Sequence, residues 1–273
     1  MLPLFDKVMR ITLVQSSLYW ENPESNRAMF AEKLSGLQGK TDLVVLPEMF
    51  TTGFSMQAAS LAEPMDGPTM QWMQEQANAL GAAITGSFMC EEEGRFFNRL
   101  VFMRPNGQYD SYDKKHLFSL AQEPQHFTAG RKRITLEWMG WKICPLICYD
   151  LRFPAWSRNT AGSFINGLVS YYDLLIYVAN WPERRAHHWR SLLTARAIEN
   201  QTFVVGVNIA GTDGNGLIYT GDSALIDFSG HTLLQISEGR EDLQTFDITL
   251  EEMQVYRQQF PFLADRDVFE FKG

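Results

Sequence analysis

The sequence predicts an α/β fold with mixed sheets, and three observations carry that expectation. Short apolar runs rich in β-branched residues recur at Ile11 to Val14, Leu43 to Leu46, Leu100 to Met103, Ile143 to Ile147, Leu174 to Val178 and Phe203 to Val207. Helical periodicity fills stretches between them. Two further segments carry tight-turn chemistry, so some strands are joined as antiparallel hairpins instead of by crossovers.

Taken in chain order, Leu43 to Leu46 is apolar on both faces, as a strand covered on both sides by other layers requires. Pro68 suits a first helical turn, Met70, Met73, Ala77 and Leu80 recur at helical spacing, and Gly81 supplies a stop. The segment RFFNRLVFMRPNGQYDSYDKK carries a Pro-Asn-Gly turn between two strands. Leu174 to Val178 is again apolar on both faces. Residues Ala186 to Asn200 form a helix with Trp189, Leu192, Leu193 and Ala197 on one face. GDSALIDFSGHTLLQI carries Ser-Gly between two more strands. No Pro-rich or Ser-rich linker and no repeat divides the chain, so a single domain over residues 1–273 is expected. The aromatic-rich tail, about 256–273, is expected to pack on the body or on a second subunit.

Composition narrows the function. With 24 Lys plus Arg against 32 Asp plus Glu, the net charge is -8, which repels phosphate backbones and anionic membranes. The densest basic runs, Arg131 to Arg133 and Arg184 to Arg185, are short, so no nucleic-acid partner is expected. The opening MLPLFDKVMRITLVQSS lacks the pattern of an export signal, and no apolar run approaches the ~18 residues of a membrane span. Three cysteines, Cys90, Cys144 and Cys148, are too few and odd in number for a disulfide framework and fit the cytoplasm. Cys-x-x-x-Cys is not a metal knuckle, and His187 and His188 point to different sides of a helix, so neither metal nor cofactor is expected.

Polar residues at strand exits are where an α/β scaffold places its chemistry. Glu48 follows Leu43 to Leu46 through Pro47, at a position that either caps a turn or holds a partly desolvated carboxylate suited to proton transfer. Lys114 and Lys115 follow the Pro-Asn-Gly hairpin; a lysine here is solvated surface, or in a dry cleft presents positive charge to an oxyanion. Cys148 ends the run Ile143 to Ile147 in WKICPLICYDLRFP, while Cys144 and Cys90 read as small core hydrophobes. A sharp turn after Cys148 lifts the sulfur into a cleft and aims the Tyr149 backbone N–H at a substrate oxygen. A base, a cation and a nucleophile in that order describe cysteine-dependent acyl transfer.

Those residues carry a resemblance to the nitrilase, or carbon-nitrogen hydrolase, superfamily. Its Glu-Lys-Cys set matches LVVLPEMF at Glu48, YDKKHLF at Lys114 and ICYDLRFP at Cys148, and the likeness continues through NWPERRAHHWRSLLTARAIENQTFVVGVNIAG and GDSALIDFSG. The resemblance implies a four-layer α-β-β-α sandwich, a homodimer or larger homo-oligomer, and selection of Lys114 over Lys115. It also implies a second glutamate, Glu123, seven residues before Gly130. Among superfamily members, DLVVLPEMFTTGFSM and ICYDLRFPAWSRN are most similar to bacterial omega-amidases, which hydrolyse the terminal amide of 2-oxoglutaramate and 2-oxosuccinamate. By that likeness Arg152 clamps the substrate carboxylate, unless it braces its loop through Asp150. Trp181 and Phe118 are candidate apolar walls or core aromatics. Two alternatives stand beside this: a carbon-nitrogen hydrolase acting on a nitrile, an N-carbamoyl group or another aliphatic amide, and a thiol-based regulatory module without turnover.

Overall fold

In a computed structural model, side chains are described for residues 7–160 and 172–267, and backbone alone for 164–165 and 168–169. The opening residues 1–6 and the last six residues of the tail lie outside the described part. The strands, in chain order, are β1 (Val8–Gln15), β2 (Leu43–Val45), β3 (Ala83–Glu92), β4 (Arg95–Met103), β5 (Tyr109–Asp113), β6 (Leu136–Trp138), β7 (Trp141–Ile147), β8 (Phe164–Ile165), β9 (Leu168–Val169), β10 (Leu174–Ala179), β11 (Phe203–Asn208), β12 (Ala210–Thr212), β13 (Ile218–Thr220), β14 (Ala224–Ile226), β15 (Thr232–Gln235) and β16 (Asp242–Thr249). The α-helices are α1 (Pro23–Leu34), α2 (Ala58–Leu61), α3 (Pro68–Leu80), α4 (Pro154–Ser157), α5 (Ala186–Asn200) and α6 (Leu250–Gln259).

Alternation along the strands sorts the chain into layers. On β1 and β2, Ile11, Leu13, Leu43 and Val45 face one way, into a core shared with Trp141, Ile143, Leu174 and Ile176 of the other sheet. Val14, Val44 and Leu46 face the other way, onto Phe30 and Leu34 of α1 and Met70, Met73 and Ala77 of α3. The first six-stranded sheet has the order β16-β1-β2-β3-β4-β5 and the second β15-β14-β11-β10-β7-β6. Behind the second sheet, Trp189, Leu193 and Ala197 of α5 complete its packing. At Gly206 of β11 an added Cβ would lie 2.5 Å from Leu193 Cδ1 and 2.8 Å from Trp189 Cζ2, so only glycine lets α5 approach this closely. The result is an α-β-β-α sandwich.

Both sheets are mixed, as the turn chemistry implied. β1, β2 and β3 run parallel, as do β7, β10 and β11, while the Pro-Asn-Gly and Ser-Gly hairpins pair β4 with β5 and β14 with β15 antiparallel. α5 spans the helix read from sequence, and α3 ends at Gly81, whose φ of 67° is the left-handed cap glycine favours. In the described part of the tail, α6 buries Met253, sets the Tyr256 ring 4.9 Å from Phe228, and bonds Asp173 through Arg257 at 3.0 Å. α1 was not anticipated, because Asn26 is buried on its inner face and breaks the apolar period. Its start was readable: the Asn22 side chain accepts from Ser25 N at 3.0 Å and Pro23 opens the first turn.

Candidate active site

Strand ends from both sheets converge on one buried polar cluster. β2 is fully buried and delivers Glu48 through Pro47 into the interior, where it has no exposed surface. Glu48 Oε1 accepts from Lys114 Nζ at 2.9 Å and Asn98 Nδ2 at 2.8 Å, and Oε2 accepts from the Asn180 backbone N–H at 2.8 Å. Asn180 Nδ2 also donates to the Glu48 carbonyl at 2.6 Å. This carboxylate is therefore held by three elements, β4, β5 and β10, rather than capping its own turn.

Lys114 immediately follows β5 and is only 1% exposed. Its ammonium donates to both Glu123 oxygens at 3.0 Å as well as to Glu48, and lies 5.0 Å above the Phe54 ring. Burial works against its charge, but Glu123 and Glu48 outweigh that and hold Lys114 well above the ordinary lysine value. Glu123 is itself pushed up by burial, against the pull of Lys114. Its Oε2 accepts from Phe118 N at 2.5 Å, which fixes the loop carrying the Phe118 ring.

Gly130 closes the lysine loop. Its N–H donates to the Lys114 carbonyl at 2.9 Å, and an added Cβ would stand 2.0 Å from the Asp113 carbonyl oxygen. Gly130→Ala is expected to cost about 1–3 kcal/mol of stability through this overpacking. Urea unfolding monitored by tryptophan fluorescence checks it.

Cys148 directly follows β7 with φ at 42°, a left-handed conformation costly for a residue with a Cβ. The chain then turns into a short 3₁₀ segment, Cys148–Arg152. Asp150, fully buried, holds the turn: it accepts from Ile147 N at 3.1 Å, Tyr112 OH at 2.7 Å and His116 N at 3.0 Å, and lies 2.7 Å from His116 Nδ1. One carboxylate thereby locks the cysteine turn to the lysine loop. Cys148 Sγ lies 3.9 Å from the Asn180 carbonyl. Burial and the nearby charge of Glu48 raise the thiol well above its ordinary value, and Lys114 opposes them. The sulfur thus sits in surroundings that disfavour its thiolate, with Lys114 as the opposing charge. Cys90 and Cys144, fully buried, are pushed up to about 11 by burial.

Above the sulfur opens a cavity of about 290 Å³, lined by Cys148, Lys114 and Tyr149 at its base, by Phe54, Phe118 and Trp181, and by Arg152 and Arg185. The Tyr149 N–H stands in the first turn of its 3₁₀ segment, where a helix offers no acceptor of its own. The Arg152 guanidinium lies 4.7 Å over the Trp181 ring and 3.1 Å from His188 Nδ1. Asp150 is engaged elsewhere, so the loop is not braced by an Arg152–Asp150 pair. The catalytic residues and pocket walls expected from sequence meet at this cluster and cavity. Sequence reasoning missed Asn98, Asn180 and Arg185. Asn98 was signalled by the polar Asn98-Arg99 pair inside the apolar run FFNRLVF, and Asn180 by its place directly after LLIYVA, at the same kind of strand exit as Glu48.

Residues 10–258 match the sequence profile of the carbon-nitrogen hydrolase family. The chain belongs to the carbon-nitrogen hydrolases. This carbon-nitrogen hydrolase is 42% identical over 261 residues to the omega-amidase YafV of Escherichia coli, covering 96% of this chain and 98% of the relative. It is 33% identical to the 2-oxoglutaramate amidase of Bacillus subtilis, over 93% of this chain and 96% of that one. Among solved structures, a carbon-nitrogen hydrolase superfamily protein from Xanthomonas campestris, with an arsenic adduct in its active site, superposes with a TM-score of 0.93. That pair is 46% identical and covers 97% and 99% of the respective chains. The mixed-sheet sandwich of this carbon-nitrogen hydrolase is the fold its sequence resemblance implied.

Proposed function

We propose that this carbon-nitrogen hydrolase is an omega-amidase, releasing ammonia from the terminal amide of 2-oxo dicarboxylic acid monoamides such as 2-oxoglutaramate and 2-oxosuccinamate. The observation that carries the reading is the buried Glu48–Lys114–Glu123 cluster against Cys148, under a cavity edged by Arg152, in a chain so similar to an omega-amidase.

In this reading Glu48 takes the proton of Cys148 as the sulfur attacks the amide carbon. The thiol is costly to ionise in advance, so proton removal and attack go together, with Lys114 and the Tyr149 N–H holding the oxyanion. Glu48 returns the proton to the leaving nitrogen, ammonia departs, and a thioester remains. Water, deprotonated by Glu48, then attacks the thioester; the oxo acid leaves and the thiol regains its proton. Glu123 orients Lys114, Arg152 pairs with the substrate carboxylate, and Trp181 and Phe118 flank its carbon chain. No cofactor or metal takes part. The chain acts as one domain over 1–273, as a homodimer or larger homo-oligomer in the cytoplasm.

The test is ammonia release from 2-oxoglutaramate, measured beside glutamine, an aliphatic nitrile and an N-carbamoyl amino acid. The expected result is turnover of 2-oxoglutaramate well above the other three. Turnover confined to any of those three would replace this reading.

A further inference from the structure

The cavity holds one more cation than this mechanism uses. Arg185, half-buried just before α5, lines the same space as Cys148 and Arg152, and its guanidinium lies 5.4 Å over the Phe118 ring. Among the described residues its side chain has no ion pair and no hydrogen bond, and Arg152 has only His188. The two acids lining the cavity do not neutralise them. Asp213 accepts from Asn215 N, Leu217 N and Tyr219 OH at 2.8, 2.9 and 2.9 Å, and Glu21 accepts from Ser55 OH at 2.5 Å. Burial and the charges of Arg152 and Arg184 lower the Arg185 pKa, as expected of a cation short of a counterion. Each guanidinium rests on an aromatic wall, which fixes its plane and keeps its N–H edge available.

Two fixed cations without anions, in a space sized for a small molecule, await an anionic ligand group. We propose that Arg185 is a second specificity-determining cation, which together with Arg152 holds a single carboxylate at the far end of the substrate. The proposal rests on the omega-amidase reading and deepens it: the cavity selects amides that carry a distal carboxylate over uncharged amides of equal length.

The test reads binding without turnover. Iodoacetamide alkylation of Cys148 is followed by peptide mass spectrometry against increasing 2-oxoglutarate, whose protection midpoint reports carboxylate binding. Arg185→Met is expected to raise that midpoint roughly 10- to 100-fold, read against the variant's own unprotected alkylation rate. Arg185→Lys, which keeps charge but not the planar fork, falls between. An unchanged midpoint in Arg185→Met, or no protection of the parent protein, overturns the proposal. So does a parallel loss of unprotected rate in both variants, which marks a purely structural role. Failure of the parent to release ammonia from 2-oxoglutaramate sinks the omega-amidase reading instead, and leaves the protection result to decide on Arg185 as a carboxylate site.

Discussion

Cys148→Ala is expected to abolish hydrolysis, lowering kcat by a factor on the order of 10⁵–10⁶, because a nucleophile has no substitute when the reaction runs through a covalent intermediate. The fold should survive, since only one sulfur in a cavity wall is lost. Glu48→Gln tests the other half of the same step. Glutamine offers one acceptor oxygen where Glu48 accepts from Lys114, Asn98 and Asn180, and its amide would confront a donor. A loss of about 10²–10⁴ in kcat is expected from the missing base alone. Quenched-flow mass spectrometry provides the decisive measurement: a thioester mass on the Cys148 peptide in the parent, and none on Cys90 or Cys144. An acyl adduct elsewhere, or full activity in Glu48→Gln, would refute the assignment.

Lys114→Met should be the most damaging change to the folded state. It removes the ammonium between two buried carboxylates and leaves Glu48 and Glu123 facing each other without a cation. Breaking a buried ion pair by removing one partner costs about 3–5 kcal/mol, and here two partners are orphaned. The remaining carboxylates can relieve the repulsion only by taking up a proton. A carboxyl raised in the folded state adds stability as pH falls, as Glu123 already does in the parent, so the variant, with no Lys114 to oppose the shift, should gain more over the same fall in pH. Chemical denaturation at pH 5 and pH 8 measures this. Lys114→Met combined with Glu123→Gln should recover much of the stability without recovering activity, because the oxyanion still lacks its cation. Recovery of activity in the double variant would exclude Lys114 from the chemistry.

Much of the site could be read from sequence because strand ends announce themselves. Glu48 and Cys148 each follow a run that is apolar throughout, as strands buried on both faces are, and Lys114 follows the strand returning from the Pro-Asn-Gly turn. What could not be read was whatever broke a period. β3 was missed because Gly86 and Ser87 interrupt its apolar run; an added Cβ on Gly86 would stand 2.9 Å from Leu46 Cβ, at the strand leading to Glu48. α1 was hidden by buried Asn26, whose amide donates to the Thr51 carbonyl at 2.7 Å and so anchors the loop after Glu48. Arg184 and Arg185 look alike as neighbours in a basic pair. Only the cavity separates them, with Arg185 over Phe118 and Arg184 exposed. In each case local pattern gave way to a tertiary demand made by the site.

The pairing of β16 with β1 has a consequence for how this protein comes into being. Among the described residues the strand latest in chain order lies along the earliest, from Val8 against Thr249 to Gln15 against Asp242. The sheet that supplies Glu48 and Lys114 therefore gains its edge strand only once β16 has been made, after every strand of the sheet that supplies Cys148. A nascent or truncated chain can hold the thiol without a settled base beside it. Ammonia release would then report the seating of β16 more faithfully than the presence of the cysteine does.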